Sequence, residues 1–127
     1  MKRLILVSFV LISVFLSVMS AEGKTGFIEF FSTYYSFGTF PKNKVRKVVF
    51  PFKNTGSSSV LLYSVEPSCG CTSVVFTKKP IPPGKIGYVD VYFNPTQTTT
   101  GHFKKSIDVR SNASNSIVRL FIEGTSM

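Results

Sequence analysis

The sequence predicts an all-β protein, an antiparallel β-sandwich of about seven strands preceded by a cleaved signal peptide. Three observations carry this expectation. From Phe27 onward apolar and polar residues alternate in short runs, the period of a strand with one buried face. Pro, Gly and Asn interrupt those runs at the regular spacing of an immunoglobulin-like sandwich. Downstream of the leader no stretch sustains a 3.6-residue period, so helices are not expected. Composition agrees, because 43% hydrophobic residues and 13 Phe in 127 are too apolar for a disordered chain. Two Cys and no Trp argue against an antibody-type domain and against a disulfide-stapled miniprotein.

Met1-Lys2-Arg3 is a short positive head, and Leu4 to Val18 is an uncharged apolar run. Val18 and Ser20 then supply small residues where a signal peptidase reads them, with Ala21-Glu22 following. The run is shorter than the roughly 20 residues of a spanning helix, and Ser8, Ser13 and Ser17 dilute it. Residues 1–20 are therefore expected to be a signal peptide and residues 21–127 a single immunoglobulin-like domain. The product would be exported, periplasmic or secreted, with no membrane span left after cleavage. No Cys adjoins the cut, which disfavours a lipid anchor. Losing Lys2 and Arg3 lowers the formal charge of +9 by two.

Phe27–Phe31 with Tyr34–Phe37 reads as a first strand region, stopped by Gly38 and Pro41. In Lys44–Asn54, Val48, Phe50 and Phe52 share the inward face, and Pro51 marks an edge or a bulge because it cannot donate to a ladder. Asn54-Thr55-Gly56-Ser57-Ser58 is a turn. Ser59–Glu66 is expected to bury Leu61, Tyr63 and Val65, with Pro67 ending it. Thr72–Phe76 is a short strand before a loop stiffened by Pro80, Pro82 and Pro83. Ile86–Asn94 buries Val89, Val91 and Phe93. His102–Arg110 buries Phe103, Ile107 and Val109, leaving Lys105 to escape at the edge of that face. Ile117–Glu123 closes the set with Val118, Leu120 and Ile122 inward.

Four segments occur in a recognisable order: Phe50-Pro51-Phe52-Lys53-Asn54-Thr55-Gly56, Glu66-Pro67-Ser68-Cys69-Gly70-Cys71-Thr72, Ile81-Pro82-Pro83-Gly84, and Phe103 to Asn112. In these the chain resembles the bacterial "domain of unknown function 1573" family, related in architecture to domains of the major-sperm-protein type. The resemblance spans roughly Phe27 to Gly124, and Ser-Cys-Gly-Cys-Thr is its most specific piece. Ser36-Phe37-Gly38 stands where the family pattern has Asp-Phe-Gly, so that carboxylate is absent here. The resemblance implies an exported all-β module with no activity attached.

Cys69-Gly70-Cys71 is the only concentrated chemistry, and these two thiols are the candidate redox or metal residues. In an extended strand their Cβ atoms would stand about 6.5–7 Å apart, whereas a disulfide needs about 3.8 Å. The pair can bond only if the chain bends, and Gly70 is read as the residue that permits it. A loop this small gives a bridge little entropy to remove, so structural need is a poor reason for it. A labile redox pair, a Cu(I) site and a link to another chain remain open, beside two small thiols packed in the core. Zinc is disfavoured, because only His102 and distant carboxylates could complete four ligands.

His102 itself reads as a surface residue at a strand start. The chain holds no nucleophile elbow, His-Glu-x-x-His or phosphate-cradling loop, so no enzyme and no cofactor is expected. Lys42-Lys44-Arg46-Lys47, Lys78-Lys79 and Lys104-Lys105 read first as edge protection and second as a patch for an anionic partner. Nucleic acid is not expected for an exported chain without a recognition helix. The leading expectation is a non-enzymatic binding or structural module of the cell envelope, its partner a protein or glycan there. The alternative is a thiol protein that uses Cys69 and Cys71 for redox exchange or Cu(I) binding.

Overall fold

Period-2 alternation gives each strand one apolar face, and two sheets can close those faces on each other. The computed structural model does this over the residues it describes, 24–97 and 100–127. The leader at 1–20 lies outside them. Among the described residues there are eight strands: β1 (Ile28–Phe30), β2 (Tyr34–Phe40), β3 (Arg46–Asn54), β4 (Leu62–Pro67), β5 (Thr72–Phe76), β6 (Ile86–Phe93), β7 (Gly101–Ser111) and β8 (Ile117–Ser126). One sheet runs β1-β3-β6-β5 and the other β2-β8-β7-β4. Most pairs are antiparallel, and β2 joins β8 in parallel.

Phe50, Phe52, Val89, Val91 and Phe93 of the first sheet meet Phe103, Ile107, Val109, Leu120 and Ile122 of the second, all buried. Phe93 and Phe103 stack with centroids 4.0 Å apart, and Phe40 meets both edge-on. Each well-buried apolar side chain of this kind contributes about 1.5–3 kcal/mol. Gly87 shares the inward face because a Cβ there would lie 2.4 Å from the Phe52 ring.

Three expectations need correction. Phe27–Phe37 is not one strand region, since β1 and β2 fall in different sheets and raise the strand number to eight. Val60 just before β4, and Leu62 and Val65 within it, are buried while Tyr63 is 63% exposed. A register irregularity between Leu62 and Ser64 shifts the alternation, so Leu61 and Tyr63 leave the core. Pro51 makes no bulge, because β3 pairs with β6 in unbroken register through it. Its carbonyl accepts from the Phe31 N–H, so its ring nitrogen faces the side where β1 has just ended. The missing donor costs no ladder bond there.

Candidate functional site

Two of the four family-like segments meet at one end of the sandwich. The buried Asn54 side chain donates to the carbonyls of Ser58 (2.8 Å) and Ile81 (2.9 Å) and accepts from the N–H groups of Phe27 and Gly56. Its backbone holds Gly84 N–H at 2.7 Å and donates to Lys85. Pro82-Pro83-Gly84-Lys85 closes a turn by a Lys85 N–H to Pro82 carbonyl bond, with Gly84 at φ 81°. Proline second and glycine third is the sequence that such a turn demands. Gly56 is equally fixed, as a Cβ would sit 2.5 Å from the Phe27 nitrogen. This clasp was read from sequence only as a turn.

The Cys pair sits at the opposite end, where the chain leaves β4 and crosses to β5 in the other sheet. Cys69 and Cys71 are joined as a disulfide with Cα atoms 5.2 Å apart. The bend that brings them together is a turn closed by Thr72 N–H on the Cys69 carbonyl at 3.1 Å. It does not draw on the special freedom of glycine. Gly70 is absent from the positive-φ glycines, which are Gly38, Gly84 and Gly101, and beyond its two neighbours no atom comes within 4 Å of a Cβ built on it.

Further bonds anchor the corner. Ser68 N–H donates to the Ser106 carbonyl, Ser106 N–H to Ser68 Oγ, and Asn94 N–H to the Cys71 carbonyl. Cys71 is buried at 3% exposure, whereas Cys69 is half-buried against the edge of the core and Gly70 is exposed. Bonded to each other the sulfurs carry no thiolate, so Cu(I) ligation could belong only to the reduced pair.

The other sequence candidates do not gather here. His102 is exposed on β7 opposite Thr125. Lys47 lies 3.9 Å from Asp90 on the outer face of the β1-β3-β6-β5 sheet, while Lys104 covers Phe121 on the outer face of the other. Lys78 stands 3.4 Å over the Phe76 ring. The basic clusters are therefore spread over both faces.

Sequence reasoning missed the groupings that each of those faces carries. On the β2-β8-β7-β4 sheet, Arg119 makes two hydrogen bonds to Asp108, at 2.8 and 3.3 Å, and holds its carboxyl below the usual carboxylate range. Glu123 beside Tyr34 holds that phenol above its ordinary value. On the β1-β3-β6-β5 sheet, Val49, Val75 and Tyr88 are 41%, 58% and 50% exposed. With Phe76, Thr77 and Asp90 they line a shallow depression of about 450 Å³. β5 borders it and pairs only with β6 among the described residues, so its outer edge is open.

The eight strands among the described residues form, in these two sheets, an immunoglobulin-like sandwich. Solved structures share it at low identity, which shows the fold. A protein of unknown function from Porphyromonas gingivalis W83 superposes with TM-score 0.73 at 20% identity over 84% of this chain and 50% of that one. This chain thus spans about half of that protein's length. The seventh PapD-like domain of human CEP192, an ASH / PapD-like domain, gives 0.63 at 15% identity over 81% and 87%. The secreted serine protease VesC of Vibrio cholerae gives 0.58 at 10% over 78% of this chain and 23% of its own. No curated protein resembles the sequence closely enough to match. Residues 28–126 fit the family described as protein of unknown function (DUF1573), and the chain belongs to it.

Proposed function

We propose that the protein is an exported, non-enzymatic binding module of the bacterial cell envelope, holding a protein or glycan of that envelope. The observation that carries the reading is the outer face of the β1-β3-β6-β5 sheet, where Val49, Val75 and Tyr88 stand exposed beside the open β5 edge. Exposed apolar side chains grouped on one sheet face mark an interaction surface, and an open edge can accept an added strand. The leader Met1 to Ser20 supports export. An oxidised Cys69–Cys71 pair suits an oxidising compartment.

The test places a photo-crosslinking residue at Val75 or at Arg119 in protein expressed with its leader in the native envelope. Discrete adducts are expected from position 75 and none from position 119. Equal yields, or none from either, would remove this face as the binding surface. N-terminal sequencing of the same material should begin at Ala21 or Glu22, and recovery of intact Met1 would mean that no leader is cut.

A further inference from the structure

We propose that the Cys69–Cys71 disulfide is a thiol-exchange site, attacked by an incoming thiolate at Cys69 Sγ, with Cys71 as the leaving sulfur. The inference stands apart from the binding reading and rests on the β4–β5 corner alone. Three features of that corner support it.

The disulfide is not what holds the corner. Four hydrogen bonds already fix it: Ser68 N–H to the Ser106 carbonyl, Ser106 N–H to Ser68 Oγ, Thr72 N–H to the Cys69 carbonyl and Asn94 N–H to the Cys71 carbonyl. A bridge across one intervening residue removes little freedom from the unfolded chain. The covalent bond is therefore largely redundant for stability.

The two sulfurs are also unequal. Cys71 is buried in the sandwich, while Cys69 is partly exposed and followed by an exposed residue with no side chain. The fold does not require glycine at position 70, since its φ is not in the left-handed region and the space beyond it is empty. What glycine does there is leave the approach to Cys69 bare. Thiol exchange needs in-line access to one sulfur, and this corner offers access to only one.

Both departing thiolates have a donor in place. Thr72 Oγ1 lies 3.8 Å from Cys71 Sγ, and the Cys71 N–H lies 3.1 Å from Cys69 Sγ. Donation to a thiolate stabilises the charged form and makes it a better leaving group.

The co-reactant is a dithiol, small or borne by a peptide. Its first thiolate attacks Cys69 Sγ. A mixed disulfide forms, the Cys69–Cys71 bond breaks, and the electron pair leaves on Cys71. The second thiolate of the dithiol then attacks the sulfur bonded to Cys69 and releases the Cys69 thiolate. The two cysteines take up the two protons that the dithiol loses. The dithiol ends as a disulfide, and this chain has gained two electrons.

The experiment treats folded, unreduced protein with dithiothreitol and follows alkylation of Cys69 and Cys71 against the rate of global unfolding measured by pulse proteolysis. We expect reduction at least tenfold faster than unfolding, with the far-ultraviolet circular dichroism unchanged. In parallel, brief exposure to reduced glutathione, acid quenching and peptide mapping should place the mixed disulfide on Cys69. Cys71→Ser should likewise capture glutathione from its disulfide at least tenfold faster than Cys69→Ser. Reduction no faster than unfolding, or a mixed disulfide divided equally between the sulfurs, would overturn the proposal. The first two measurements use the wild-type chain, so they decide even where a serine variant folds poorly.

Discussion

The two ends of the sandwich both carry family-like sequence, yet they are held in opposite ways. At one end Asn54 is buried, uses both donors of its amide on the Ser58 and Ile81 carbonyls, and lies beside a Gly56 that cannot accept a Cβ. At the other, a covalent link joins a half-buried and a buried sulfur across a turn that a backbone bond already closes, around a glycine with room to spare. Deleting a buried polar group orphans its partners, whereas deleting a bridge over a minimal loop returns little entropy to the unfolded chain. Strong local chemistry is therefore a poor guide to what supports this fold. The quiet amide is expected to carry more of the stability than the conspicuous cysteines.

The sharpest way to break this contrast is Asn54→Ala. It takes the donor from the Ser58 carbonyl and the acceptor from the Phe27 and Gly56 N–H groups, leaving the Ile81 carbonyl only the Val60 N–H, and we expect a loss on the order of 2–4 kcal/mol in a urea melt. A loss below about 1 kcal/mol would show that water or a shifted loop replaces the amide. Next in size is Cys69→Ser with Cys71→Ser. Its cost should fall below the roughly 2–4 kcal/mol typical of a structural bridge, and a larger drop would make both ends structural. The smallest expected effect is Gly70→Ala. Its stability should stay within about 0.5 kcal/mol of wild type, while the same change at Gly56 should not be tolerated so cheaply.

Much of this architecture was legible in the sequence. Alternation alone places Phe50 and Phe52, Val89, Val91 and Phe93, and Ile107 with Val109 in the core, because a strand with one wet face must alternate. Leu61 and Tyr63 were misplaced because a bulge adds a residue without changing composition, and no local residue signals it. Phe27–Phe31 and Tyr34–Phe37 read as one strand region because they stand close together, whereas sheet membership is decided by partners distant in the chain.

The candidate site was legible in part. The thiols announced themselves, and the spacing argument required a bend that the structure supplies. Their unequal burial could not be read, because it depends on where β4 hands over to β5. Asn54 could have been suspected from Asn-Thr-Gly standing before Ile-Pro-Pro-Gly, but its role lies in carbonyls that only the folded chain brings near. The exposed apolar cluster on the outer face of β3, β5 and β6 was hidden for another reason. Val49, Val75 and Tyr88 each look like an ordinary strand residue until the register sets them side by side.

The parallel pairing of β2 with β8 sets the order in which this molecule can be completed. Tyr34 to Phe40 has no neighbour in its sheet until Phe121 to Ser126 arrives, from the far end of the chain. Loop closure over that distance must be met before any of the β2–β8 bonds is gained. A chain emerging from the ribosome thus keeps the β2-β8-β7-β4 sheet incomplete until β8 has been made. The β1-β3-β6-β5 sheet carries no such debt, since every strand in it has been made by Phe93.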